Sequence, residues 1–261
     1  LEFRRVLFRS CNLVTTAVPR FRDDFSALVR ALRIMGRANY RQTCVNLSDG
    51  TLSPEWGQTN EALRLCGMSL TGIAMAPWLT DYQIKMLRDA AITGAYSMAD
   101  ELGLPRPKLV TTIKPEGTGS KCMDVTEGLH KPLGSHIFNL VNFPHTDPIV
   151  GILESAGYRT MENPNDKNGT LVNFPVEFEG VKLHNVNGRR VNLDSAVTQL
   201  NHYRRWNTLW TDHNSSITVS CDIAVLDDIV DWLDDAAAGE VTPIAVRNAF
   251  GEIWILFRSQ P

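Results

Sequence analysis

The residues best suited to chemistry lie in Leu109-Val-Thr-Thr-Ile-Lys-Pro-Glu-Gly-Thr-Gly-Ser-Lys121. Val110, Thr111, Thr112 and Ile113 are β-branched and predict a strand, which Pro115 stops because it has no N–H for a ladder. Glu116, Gly117, Thr118, Gly119 and Ser120 then crowd two glycines and two hydroxyls into a short turn. Such a turn points several backbone N–H groups the same way, and hydroxyls beside them suit it to phosphate oxygens. The spacing is not that of a G-x-x-x-x-G-K-[ST] loop. By residue type alone, an ordinary strand-to-helix turn is the commoner meaning of the string.

Thiols are the second candidate. The five cysteines are odd in number and scattered, which gives neither a disulfide framework nor a C-x-x-C knuckle, and a reducing cytoplasm is the expectation. Taken by itself Cys11 reads as a buried apolar thiol. Cys44, Cys66, Cys122 and Cys221 have no partner spacing. His130, His136 and His145 are too irregularly placed for a metal cluster, and no metal is expected. The acidic residues Asp227, Asp228, Asp231, Asp234 and Asp235 read as the wet side of a helix.

The elements that must position these groups alternate. A short strand from Cys11 is followed by a helix capped at Asp23 or Asp24, with Phe25, Leu28, Val29, Leu32 and Met35 on one side. Ser53-Pro54 starts a helix predicted to run to about Cys66, and Met68 to Met75 is a strand candidate interrupted by Gly72. Thr80 or Asp81 opens a long helix that Gly103 ends. Helix and strand in alternation favour α/β with parallel strands. Beyond the turn, Ser135 to Phe143 is a strand, Asp147-Pro148 starts a helix, and Tyr158–Met161 and Thr170–Phe178 form a hairpin. A helix led by Ser195 carries Trp206 and Trp210 into the core. A strand over 216–219, a helix over 226–233 and a strand over 252–257 complete the chain, and no linker is long enough to divide it.

Composition sets the outer limits. The chain has 261 residues, 43% hydrophobic and 21% charged, enough for one large core or two small ones. A net charge of -3 gives no sign of a surface for a nucleic-acid polymer or a membrane, and no apolar run approaches a membrane span. Residues 1–10, Leu-Glu-Phe-Arg-Arg-Val-Leu-Phe-Arg-Ser, resemble an in-frame translation of a sequencing adapter and are set aside as non-native. Residues 11–261 are then expected to be an internal piece, truncated at both ends.

The string Ile113–Lys121, followed by Thr126-Glu-Gly-Leu-His130, resembles the substrate loop of ribonucleotide reductases. It is most similar to the adenosylcobalamin-dependent ribonucleoside-triphosphate reductases. Arg64–Gly72, Asn192–Leu200, Asp212–Val219 and Asp227–Leu233 fit the same family in the same order. The resemblance implies an α/β barrel of ten strands built from two halves, of which residues 11–261 would be the second. It implies that Glu116, Gly117, Thr118, Gly119 and Ser120 hold the substrate's phosphates, mainly through backbone N–H groups. Cys11 would be one member of the redox pair that becomes a disulfide. Adenosylcobalamin would be the cofactor, with contacts shared with segments outside this chain, and a thioredoxin-like protein the reductant. The family's radical cysteine sits in an Asn-x-Cys-x-Glu motif that is absent here; by family spacing it falls at or before position 1. The chain is therefore expected to come from a radical enzyme and not to turn over alone. The alternatives are the large subunit of a di-iron reductase, with the same barrel, and a non-catalytic phosphate- or nucleotide-binding domain.

Overall fold

The computed structural model describes residues 12–47, 50, 52–117 and 119–237, together with a strand at 253–257; of 223, 236, 237 and 253–257 only the backbone is described. Cys11, Thr118 and the adapter-like residues fall outside that set. The chain forms two compact units, Leu1–Lys131 with Asp194–Pro261, and Pro132–Leu193.

In the first unit, strand β1 (Asn12–Ala17) runs parallel to β2 (Cys66–Thr71), with Asn12 opposite Cys66 and Ala17 opposite Thr71. Between them in sequence lie helices α1 (Phe25–Gln42) and α2 (Pro54–Leu63). After β2 comes the long helix α3 (Asp81–Glu101). The predicted strand at 109–113 follows, bridged in parallel to β2 at Met68–Thr111 and to the next segment at Ile113–Ser215. Helix α6 (Ala196–Leu209), strand β8 (Ile217–Cys221), helix α7 (Leu226–Ala237) and strand β9 (Ile253–Phe257) follow the second unit, and β9 is parallel to β8. Five parallel segments thus lie side by side in sequence order. This is α/β architecture with parallel strands, as the alternation of elements predicts. Among the described residues no pairing closes the run into a barrel.

Local chemistry explains most boundaries. The Asp24 carboxylate accepts from Ala27 N at 2.7 Å and caps α1. Thr80 and Gln83 form a reciprocal capping box at the start of α3. Helix α2 stops at Leu63, earlier than predicted, because Arg64 turns left-handed (φ 45°) and its guanidinium donates to Thr43 O at 2.7 Å. Cys66 and Met68 are then drawn into the sheet, donating to Leu109 O and Val110 O at 3.1 and 2.8 Å. Strand β2 ends at Thr71, short of the predicted Met75. There Gly72 takes φ 76°, and a Cβ would lie 2.5 Å from the Pro19 ring.

Helices α1 and α3 cross backbone against backbone. A Cβ on Gly36 would lie 2.4 Å from Ala91 O, and one on Gly94 2.1 Å from Arg33 O. On the other side of the unit, Trp206 and Trp210 are buried as the sequence predicts, beside Tyr203 and Leu200. Among the described residues no helix is long and apolar enough to cross a membrane.

The second unit is an antiparallel sheet in the order β3 (His136–Pro144), β5 (Gly169–Glu177), β4 (Arg159–Glu162), with helix α5 (Pro148–Ser155) between β3 and β4 in sequence. The predicted hairpin is β4–β5, with Met161 opposite Leu171. A second hairpin, β6 (His184–Val186) with β7 (Arg189–Val191), turns at Asn187-Gly188, both at positive φ.

Two measurements test this packing. Alanine at Gly94 gains helix propensity of about 1 kcal/mol, but the carbonyl it meets is backbone and cannot swing aside. Gly94→Ala should therefore lower stability by about 1–3 kcal/mol in denaturant unfolding. Burial, and after it the Arg205 charge, hold the His202 imidazole down to about 4 from an ordinary 6.5. The unfolded chain takes up this proton between those values and the native chain does not. Stability should be full above pH 6.5, fall by up to about 3 kcal/mol as pH drops to about 4, and show no further His202 effect below. His202→Gln should remove that part of the slope in acid titrations of thermal unfolding.

Candidate functional site

The strand that feeds the turn is held from both sides. Thr112 N donates to Met68 O at 2.9 Å, and Ser216 N donates to Ile113 O at 3.0 Å. The Asp212 carboxylate accepts from Val110 N and Thr111 N at 3.1 and 3.4 Å and also pairs with Arg88. Trp210 Nε1 donates to Thr112 O at 2.8 Å. Thr111 and Ile113 are consequently buried, and the backbone enters the turn on a fixed line. Lys114 N donates to Ser69 Oγ at 3.0 Å as the last tie before Pro115.

The turn itself is tight. Glu116 lies in the left-handed region at φ 57°, a conformation that is costly for a residue with a Cβ. Its carbonyl accepts from Ser120 N at 3.2 Å, which closes one helical turn, α4 (Gly119–Cys122). Ser120 N is thereby engaged inside the turn. The N–H groups of Glu116, Gly117 and Gly119 make no hydrogen bond among the described residues. The Ser120 side chain is fully buried, and its Oγ finds no partner among the described residues. Thr118, predicted between them, lies outside the described residues.

The Glu116 side chain folds back over the turn. Its Oε2 accepts from Thr15 Oγ1 of β1 at 2.5 Å and stands 2.9 Å from Lys114 Nζ. A Cβ on Gly119 would lie 2.1 Å from Glu116 Oε1, so Gly119 is the residue that admits the carboxylate. Thr15 and Lys114 were not among the predicted site residues. Thr15 is a hydroxyl in a strand and Lys114 a lysine beside a turn, and neither residue type carries a local signal.

The second sequence block, Thr126–His130, forms the adjoining wall. Thr71 Oγ1 donates to Thr126 O at 2.9 Å and accepts from Gly128 N at 2.9 Å. Gly128, at φ 40°, passes so close that a Cβ would lie 2.5 Å from Lys114 O. Lys121 pairs with Glu127. His130 is a half-buried loop histidine; burial lowers the pKa of its imidazole, whose Nδ1 meets Glu127 O at 3.1 Å. On the far side of α4, the Arg20 guanidinium donates to Met123 O at 2.7 Å.

The other predictions sort simply. Cys11 falls outside the described residues. Cys44 and Cys122 are exposed, Cys66 and Cys221 buried, and none is in a disulfide. Among the described residues no group of His, Cys, Asp or Glu is placed to hold a metal ion. The five aspartates of α7 face solvent.

With this geometry in hand, comparison with known proteins finds a likeness in fold and then likenesses in sequence. The fold matches the crystal structure of a B12-dependent (class II) ribonucleotide reductase at a TM-score of 0.73 and 18% identity, covering 96% of this chain and 37% of that one. In sequence, the chain is 28% identical over 163 residues to the adenosylcobalamin-dependent ribonucleoside-triphosphate reductase of Lactobacillus delbrueckii subsp. bulgaricus, covering 62% of this chain and 21% of the relative. The reductases of the same name from Lactobacillus leichmannii and Lactobacillus acidophilus are each 28% identical, over 163 and 137 residues. No family model matches. The resemblance carried by the turn and the other blocks is thus found again in sequence and in fold, and the chain spans about a fifth of the length of the curated relatives it matches.

The wall beside the turn has its own test. Thr71→Val keeps the shape but removes both side-chain bonds, so stability should fall by about 1–3 kcal/mol. The Gly128 amide should lose protection in hydrogen exchange before the amides of α3 do.

Proposed function

We propose that the intact protein reduces ribonucleotides, in particular triphosphates, to 2′-deoxyribonucleotides in the cytoplasm, and that the turn Glu116–Ser120 holds the substrate's phosphates. The observation that carries the reading is the Ser120 hydroxyl, fully buried and without a partner among the described residues. Buried polar atoms in native proteins are nearly always satisfied, so an orphan beside three unengaged amides argues for a ligand's oxygens. Amide and hydroxyl donors to a charged phosphate each contribute about 1.5–3 kcal/mol. Thr118 is assigned to the same set on the family resemblance.

Cys11, the residue before β1, is assigned to the dithiol that supplies the electrons. Two thiols become one disulfide, the substrate's 2′-hydroxyl leaves as water, and a hydrogen takes its place. A thioredoxin-like protein would restore the dithiol by exchange, which a reducing cytoplasm favours.

The relatives are named for adenosylcobalamin, whose cobalt–carbon bond supplies the radical chemistry when bound. The family's radical thiol sits in a motif that this chain does not contain, and the described cysteines do not supply one: Cys66 and Cys221 are buried, and neither Cys44 nor Cys122 stands in an Asn-x-Cys-x-Glu string. The cofactor's contacts are therefore assigned to parts of the protein beyond the described residues, and no step is routed through it here. The names of the relatives favour this reading over the di-iron class and over simple nucleotide binding.

The deciding assay is ribonucleotide reduction by the full-length protein with and without adenosylcobalamin. Turnover only with the cofactor is expected; turnover that instead needs a radical-supplying partner protein would overturn the assignment. Ser120→Ala should raise the substrate KM about tenfold, roughly 1.4 kcal/mol, and leave cofactor affinity unchanged. Equal weakening of nucleotide and cofactor would remove the turn from the phosphate role.

A further inference from the structure

The feature of the turn that the phosphate reading leaves unexplained is an anion already lying in it. The Glu116 side chain is only 9% exposed, yet it belongs to a residue on an exposed bend. It is held there by a hydroxyl 101 residues away, Thr15 Oγ1, and by its neighbour Lys114, whose side chain is 28% exposed. Its backbone carries the strained left-handed conformation, and its carboxylate rests against Gly119, the place where any side chain would block it. These arrangements together set one negative charge against Gly119, beside the open amides of the turn.

We propose that the Glu116 carboxylate is an internal counter-anion, that the anionic tail of a nucleotide displaces it, and that Lys114 then passes from Glu116 to that tail. The proposal rests on the phosphate reading above and adds a ligand and a selectivity to it. A carboxylate and a phosphate group cannot share this space, because like charges at such separations repel strongly away from bulk water. Lys114 suits an exchange. Its ammonium is a compact charge with three donors on a flexible stem, able to turn from one anion to another without moving the backbone. Thr15 keeps the carboxylate in place while the site is without substrate, so that neither Lys114 nor the turn collapses onto other groups. Because every ligand must first displace the carboxylate, ligands with several charges, such as a di- or triphosphate tail, are favoured over a nucleoside or a singly charged anion.

The test is calorimetric titration of the full-length protein with inorganic tripolyphosphate and with a ribonucleoside triphosphate. Wild type is compared with Glu116→Gln, Thr15→Val, Lys114→Met and Ser120→Ala, each checked for folding by thermal unfolding. Removing the competing charge should tighten both ligands about tenfold in Glu116→Gln, and by a smaller factor in Thr15→Val. Lys114→Met should weaken both about tenfold. A gain in affinity is the informative sign, since a residue with a merely structural role gives a loss when removed. If Glu116→Gln does not fold, Thr15→Val carries the test, because it frees the carboxylate without touching the strained residue. Unchanged or weaker binding in the folded charge-release variant overturns the exchange. If wild type binds and Ser120→Ala weakens it, that outcome leaves the phosphate site standing. No binding of either ligand by folded wild-type protein overturns the site and the exchange together.

Discussion

The arrangement depends on one strand being held from both edges. Residues 109–113 take hydrogen bonds from β2 on one side and give and receive them through Asp212 and Ser216 on the other. A backbone segment that leaves such a place has no freedom of direction, so the turn after Pro115 begins from a fixed point. Asp212 matters doubly, since its carboxylate caps two strand amides and is itself neutralised by Arg88. Without that frame, the turn that carries the open amides and the buried Ser120 hydroxyl would have no fixed start.

Around this frame the polar groups of the site come from residues far apart in sequence. Thr15 arrives on β1, Thr71 on β2, and Gly128 returns along the wall to touch the carbonyl of Lys114. The parallel order of the strands explains the convergence. Each strand ends at the same edge of the sheet, so each connection leaving that edge adds a group to the same neighbourhood.

The sequence carried the turn, the caps and the helix faces plainly, because each is a local signal. Asp24, Thr80, Asp147 and Ser195 all accept bonds from the helices they precede, as their residue types require. Less legible was anything decided by distant pairing. Helix α2 ends early because Cys66 is claimed by the sheet, and no local rule at Leu63 says so. Likewise Thr15 looks like any strand threonine until Glu116 reaches it. The β6–β7 hairpin is different: its Asn187-Gly188 signal stood in the sequence and went unread. Of the candidate site, the glycines and hydroxyls of the turn stand in the sequence, whereas the carboxylate lying over it does not, since a glutamate's direction depends on what stands opposite.

The ion pair between Lys131 and Asp194, 2.7 Å apart, has a consequence for how this chain tolerates change. These two residues mark where the backbone departs for the second unit and where it comes home, and they clasp each other within the first. The excursion from 132 to 193 begins and finishes at one spot, like a loop of thread drawn through a single eyelet. That excursion can therefore lengthen or shorten without parting the two ends that the first unit holds together.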